Sequence, residues 1–184
     1  MASHTQWGVT LVEVLVSVVV LAVGLLGTLQ LHIVAKRSSF QSFQHARAMN
    51  MAADALERMR LNPTQLAAYQ GHYGVALLPQ PDVSCLADTS AIIPCNAEQM
   101  RQWDRFQWQQ GLLSVAEASG EGNRKLAQVV GCIHIDGNRV GVVVSWQGLQ
   151  QGVDAVTEAD GWRFECGVPT ARRRQVYLDS MVIP

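Results

Sequence analysis

Trp7-Gly8-Val9-Thr10-Leu11-Val12-Glu13-Val14 leads into an apolar run that ends near Leu31, and this stretch decides how the rest of the 184-residue chain is read. Between Val14 and Leu29 only Ser17 and Thr28 are polar. A hydrocarbon core of about 30 Å takes about 20 helical residues to cross, and Val9 to Leu29 supplies 21. One carboxylate, Glu13, sits near the start. An ionised carboxylate inside such a segment is costly, so it calls for a partner.

The residues Gly8-Val9-Thr10-Leu11-Val12-Glu13-Val14 resemble the class III signal of type IV prepilins and pseudopilins. The resemblance implies that prepilin peptidase/N-methyltransferase cuts between Gly8 and Val9 and methylates the new N-terminus at Val9. It also implies that Glu13, fifth in the mature chain, is the carboxylate used in assembly. Glu13 has a physical reason beside the resemblance. Cleavage after Gly8 leaves a cationic α-amine on Val9, and a carboxylate four residues on lies on the same helix face. Within lipid the pair is far less costly than either charge alone. The amine belongs either to the same chain or, in a filament, to a neighbouring subunit. The resemblance favours the neighbour, and the residues leave both open. Two other readings are an ordinary signal anchor with a chance glutamate and a secretory signal peptide. The signal peptide fits poorly, since its apolar core is shorter and its small-residue cleavage site follows that core.

By length the chain is one domain, or one domain and an anchor. The hydrophobic share of 48% is raised by the N-terminal run, and the net charge of −1 gives no general affinity for nucleic acid or anionic lipid. Cys85, Cys95, Cys132 and Cys166 all follow the apolar run. An even count in an exported segment predicts two disulfides, with three pairings open, and such bonds persist in an oxidising periplasm. Two details oppose export. Met1–Gly8 holds no Lys or Arg, and Lys36 and Arg37 follow the run, where the positive-inside bias alone would keep them cytoplasmic. The cysteines and the cleavage motif outweigh both.

Beyond the run, Phe40, Phe43, Ala46, Met49, Ala53, Leu56 and Met59 recur at spacings of three and four, which predicts an amphipathic continuation of the helix. Asp54 and Arg58 form a supporting i, i+4 pair. Asn62-Pro63 ends the helix, because a residue before proline avoids the helical region. Gly24 and Gly27 read either as soft points or as close-packing positions between helices. Residues 64–94 are loop-rich, with a helical turn near Thr64 to Tyr69. Asn96 with Gln99 three residues on predicts a capped helix from Ala97 to about Gln110 or beyond, with Trp103 and Phe106 as core anchors. Ala118–Lys125 reads as a loop. Leu126–Ile135 and Arg139–Gln147 flank Asp136-Gly137-Asn138 as a hairpin, and Val140, Val142, Val144 and Trp146 give the second strand one apolar face. Trp162–Cys166 reads as a third strand and Gln175–Val182 as a fourth.

Gly24-Leu25-Leu26-Gly27, Arg60-Leu61-Asn62-Pro63 and the Val-x-Val-x-Trp hairpin are similar to minor pilins within the same family. The expected fold is α+β and type IV pilin-like. A long N-terminal helix, its first half transmembrane, packs on a C-terminal antiparallel sheet of about four strands with a second short helix. The expected parts are a leader at 1–8, a transmembrane half-helix at 9–31, an amphipathic half-helix at 32–62 and a periplasmic or extracellular head at 63–184.

Other chemistry has weaker support. Cys132 and His134 share a strand face, but no Cys-x-x-Cys or His-x-x-x-His spacing completes a metal site. A Cys132–Cys166 disulfide between strands is preferred, which leaves Cys85 with Cys95 across an easily closed loop. Glu158, Asp160, Asp82 and Asp88 lack the regular spacing of a calcium loop. Arg172-Arg173-Arg174 reads as a solvated turn. No hydrolase motif is present and no cofactor is expected. The resemblance therefore implies a non-enzymatic minor pilin that primes a type IV pilus and sits at or near its tip. Implied partners are other minor pilins, the major pilin, a tip adhesin of the PilY type, prepilin peptidase/N-methyltransferase and the inner-membrane assembly platform. The implied location is the inner membrane, single-pass with a cytoplasmic N-terminus, and then the pilus. The alternatives are a type II secretion pseudopilin and, from another class, a signal-anchored periplasmic redox or hydrolytic protein with a reactive thiol.

Overall fold

In a computed structural model, which describes residues 10–85, 94–117, 126–154 and 156–183, one helix runs from Leu11 to Leu61 (α1). It passes Gly24 and Gly27 without a break. The chain divides into two units, Met1–Gln41 and Ser42–Pro184. In the first, every described residue up to Ser39 is exposed.

The second unit is built on a four-stranded antiparallel sheet in the order β1 (Gly71–Tyr73), β2 (Ala127–Asp136), β3 (Arg139–Gln147), β4 (Arg173–Met181). Asp136 pairs with Arg139 across the β2–β3 turn, where Gly137 takes the positive φ of 58° that the turn needs. All nine residues of β3 pair with β4, from Arg139 with Met181 to Gln147 with Arg173. A bulge between Ala127 and Val130 shifts the parity of β2, so that Leu126 and Val129 both reach the core.

On one face of the sheet lie Ala48, Ala52, Ala55, Leu56 and Met59 from α1 and Trp108 and Leu112 from α2 (Ala97–Glu117). They meet Ile133, Val140, Val142, Val144, Trp146 and Val176. The α1 stripe differs from the expected one. Phe43 and Ala46 are exposed, and the buried line runs through Gln44, Ala48, Ala52, Ala55, Leu56 and Met59. Small alanines let α2 come close enough for Trp108 Nε1 to donate to Met51 O at 2.8 Å. Leu56 and Met59 of the expected stripe are buried, while toward the N-terminal end Gln44 and alanines take the contact face in place of Phe43 and Ala46.

Asn96 and Gln99 form the expected reciprocal cap of α2: Gln99 N donates to Asn96 Oδ1 at 2.9 Å and Asn96 N to Gln99 Oε1 at 3.0 Å. A 3-10 helix spans Pro63–Tyr69, where a turn was expected. Asp54 and Arg58 pair at 2.9 Å, and Arg58 also reaches Asp104 on α2 at 3.1 Å.

Two expectations fail. Trp162–Cys166 is not a strand: Glu158–Arg163 is a 3-10 helix, kinked at Gly161 (φ 60°), and a turn follows it. Its carbonyls are taken by side chains rather than by a ladder. Gln175 Nε2 donates to Arg163 O at 3.0 Å and to Cys166 O at 2.8 Å, and Arg173 Nη1 to Phe164 O at 2.6 Å. The fourth strand of the sheet is instead the short β1, whose three residues carry no sequence signal. The expected loop at Ala118–Lys125 lies outside the described residues.

Candidate functional site

Thr10 stands before the first turn of α1, and its hydroxyl accepts from Glu13 N at 3.3 Å. A Thr with Glu three residues on is a favourable helix start, and a carboxylate in the first turn suits the positive end of the helix dipole. Gly8 and Val9, the residues of the expected cleavage and methylation, lie outside the described residues. Ser17 Oγ donates to Glu13 O at 2.7 Å and Thr28 Oγ1 to Leu25 O at 2.9 Å. The two hydroxyls of the apolar run thus find partners on the helix itself, as a span in hydrocarbon requires. Within α1 an apolar window has mean hydropathy 2.5 and is 0% buried, so by length and composition the helix is able to cross a membrane. A Cβ at Gly24 or Gly27 would meet nothing within 4 Å, so neither glycine makes a close contact within this chain.

The expected cysteines form two bonds, Cys85–Cys95 and Cys132–Cys166, and no described cysteine is free. Cys132 lies on the sheet face opposite the helices, with Val143 beside it and Cys166 fully buried. Since Cys166 follows the 3-10 helix, the bond ties a turn to a strand, not strand to strand. His134 shares that face and stacks on Trp162, ring centroids 5.0 Å apart. Trp162 lies over Gly141, where an added Cβ would come within 2.7 Å of its ring. On the helix side Gly131 plays the same part for Trp108, at 2.4 Å. Glycines inside strands are the sequence signal of such close approaches.

Arg173 is the largest departure from expectation. It is 1% exposed rather than part of a solvated turn. Its Nε donates to Asp154 Oδ2 at 2.9 Å, its Nη2 to Val156 O at 3.3 Å, and its planar group lies over the Phe164 ring at 5.1 Å. Nothing local in the sequence foretells it, because Asp154 is 19 residues away. Asp160 spends its carboxylate on a cap: Thr157 N donates to it at 2.8 Å, and Arg163 Nη1 at 3.2 Å. The backbone hydrogen bond from Thr157, helped by the Thr157 hydroxyl and Arg163, holds Asp160 below the usual carboxylate range. Asp88 lies outside the described residues, and among the described residues no three His, Cys, Asp or Glu side chains group to hold a metal.

Residues 6–29 match the family model of the prokaryotic N-terminal methylation motif, and residues 28–106 match that of type IV pilin Tt1218. The N-terminal part of the chain is thus similar to a prepilin methylation motif and the stretch after it to a type IV pilin domain. Its long helix, four-stranded antiparallel sheet and second helix are consistent with a type IV pilin fold. No curated protein and no solved structure matches the chain. The pilin family is structural rather than catalytic, and the methylation motif implies processing by prepilin peptidase.

Proposed function

We propose that this chain is a minor pilin, similar to PilV, that primes assembly of a type IV pilus and is incorporated at or near its tip. The reading rests above all on two adjoining family matches: a methylation motif over 6–29 that runs into a pilin domain over 28–106. The minor-pilin assignment is supported by Gly24–Gly27, by Arg60–Pro63 and by the Val140–Trp146 strand. In this reading residues 1–8 are removed, 9–31 rest in the inner membrane as a reservoir, 32–62 couple that span to the head, and 63–184 meet other minor pilins and a tip adhesin. Glu13 then receives the α-amine of a neighbouring Val9 as the helix leaves lipid for the filament, which exchanges one low-dielectric home for another with the charge paired.

Intact-mass measurement tests the first step. In cells with active prepilin peptidase the protein loses residues 1–8 and gains one methyl group; retention of the leader overturns the pilin reading. Glu13→Ala keeps membrane insertion and impairs incorporation into the filament, and normal piliation by this variant in a deletion strain would remove the role given to Glu13. Loss of surface pili and twitching on deletion supports the pilus. Loss of exoprotein secretion with pili intact would assign the chain to type II secretion instead.

A further inference from the structure

The apolar part of α1 is bounded by charge at both ends. Val14 to Ala35 contains no Asp, Glu, Lys or Arg, with Glu13 before it and Lys36-Arg37 after it. Those 22 residues span about 33 Å at 1.5 Å per residue, close to the ~30 Å of a hydrocarbon core. With residues 9–31 in the hydrocarbon core, Lys36 and Arg37 lie about 8–9 Å past Leu31 along the helix, at the level of the headgroup layer. Both side chains are exposed and make no ion pair with any described residue. The nearest sequence offers them none: from Val14 to Ala53 there is no acidic residue at all.

We propose that Lys36 and Arg37 form a collar that binds the phosphates of anionic phospholipid where α1 leaves the bilayer, fixing the depth of the membrane-resident subunit. The inference rests on the membrane-anchored reading of α1. Charge complementarity and depth commit the collar to lipid. Two adjacent cations at headgroup level face phosphate on every side, and long basic side chains near a span end reach outward to it. The same collar accounts for cations on the exported side of the span, against the usual bias. There they grip the leaflet from outside instead of setting orientation.

The test is made on the full processed chain, reconstituted in vesicles of phosphatidylcholine with about a third phosphatidylglycerol. Electron spin resonance of spin-labelled lipids reads the preference of the protein-contacting shell for phosphatidylglycerol over phosphatidylcholine. The expected preference is on the order of five-fold per cation at low salt, and it collapses in about 1 M NaCl, where the Debye length is ~3 Å. Lys36→Gln/Arg37→Gln abolishes it, whereas Lys36→Arg/Arg37→Lys retains it. An equal preference in the wild type and the double glutamine variant, both inserted, overturns the collar and leaves the span intact. If that variant also fails to enter filaments, the collar belongs to a neighbouring subunit instead. Failure of the wild-type chain to reconstitute at all would strike the anchored reading itself.

Discussion

Replacing Arg173 by methionine keeps most of the side-chain volume and removes the guanidinium. In the structure that group supplies Nε to Asp154 at 2.9 Å, Nη1 to Phe164 O at 2.6 Å and Nη2 to Val156 O at 3.3 Å. All three acceptors belong to the segment between β3 and β4, so losing the donor frees that segment from the sheet. A buried acceptor left without a partner costs roughly 1–3 kcal/mol. The Asp154 side chain is 21% exposed and regains water in part, which lowers its share. The sum is about 3 kcal/mol, at the lower end of the range for breaking a buried ion pair by removing one partner. For a unit of the size of Ser42–Pro184 this corresponds to a melting temperature lower by roughly 10 °C. Arg173→Lys loses nearly as much, because one ammonium cannot serve three acceptors that a planar fork reaches in different directions. Urea and thermal unfolding of the Ser42–Pro184 unit, followed by circular dichroism, measure both variants. A loss below about 1 kcal/mol in Arg173→Met, or full stability in Arg173→Lys, would refute the account of Arg173 as the peg of this segment.

Three further outcomes follow from the same geometry. The Cys132–Cys166 bond closes a separation of 34 residues and Cys85–Cys95 one of 10, so alanine pairs at the first cost about 3–4 kcal/mol and at the second about 2.5–3 kcal/mol on loop entropy; urea midpoints in the reverse order would contradict this. Gly141→Ala drives a methyl group into Trp162 and lowers stability by about 1–3 kcal/mol while changing the near-ultraviolet spectrum of that ring; an unchanged spectrum and midpoint would show that Trp162 does not need its seat. Burial raises the Tyr69 hydroxyl, with Asp104 adding to it, and burial raises that of Tyr73 against the opposing pull of Arg105. The folded state therefore keeps protons that the unfolded chain releases near pH ~10, and stability is complete below that pH and falls as pH rises above it. Each tyrosine contributes a slope of up to about 1.4 kcal/mol per pH unit, so Tyr69→Phe lessens the fall in urea midpoint between pH ~9 and ~11, and a slope unchanged by the substitution would reject the shift.

What the sequence made readable was carried by local rules. Periodicity, the Asn62-Pro63 stop, the Asn96 and Gln99 cap and the Gly137 turn each act within a few residues, and the structure has α1, α2 and the β2–β3 hairpin where those rules put them. Apart from the α1 stripe and the strand glycines, the failures are contacts between distant segments. Trp162-Arg163-Phe164-Glu165-Cys166 alternates as a strand does, yet its carbonyls are held by Gln175 and Arg173 from β4, which no window of sequence reveals. β1 exists because Gly71–Tyr73 meets Gly131–Ile133 about 60 residues on, too short a piece to show its own alternation. At the N-terminus, Thr10 and Glu13 were legible as a pattern, while the structure adds that Thr10 is the cap on Glu13 N.

One helix serves two environments, and side-chain volume separates them. From Gln44 onward every third or fourth residue of α1 is buried, and half of those six residues are alanine. A stripe of that kind gains little from apolar area, since each methyl removes little surface from water. Its gain is proximity: with alanine at the contact, Met51 O accepts from Trp108, and Gly111 receives the Met51 methyl so closely that a Cβ there would stand 2.9 Å from it. Leucine at Ala52 would hold α2 away from α1 and unseat Trp108 from Gly131, coupling both helices to the sheet through one side chain. In the unit that ends at Gln41 the reverse holds. Leu11, Val20, Val23, Leu26 and Leu31 are each more than 60% exposed and contribute nothing to folding of this chain. Large apolar residues that stabilise no contact of their own are retained where lipid or another subunit covers them. The alanine half of α1 is therefore committed to the head, while the leucine and valine half leaves its apolar side chains exposed.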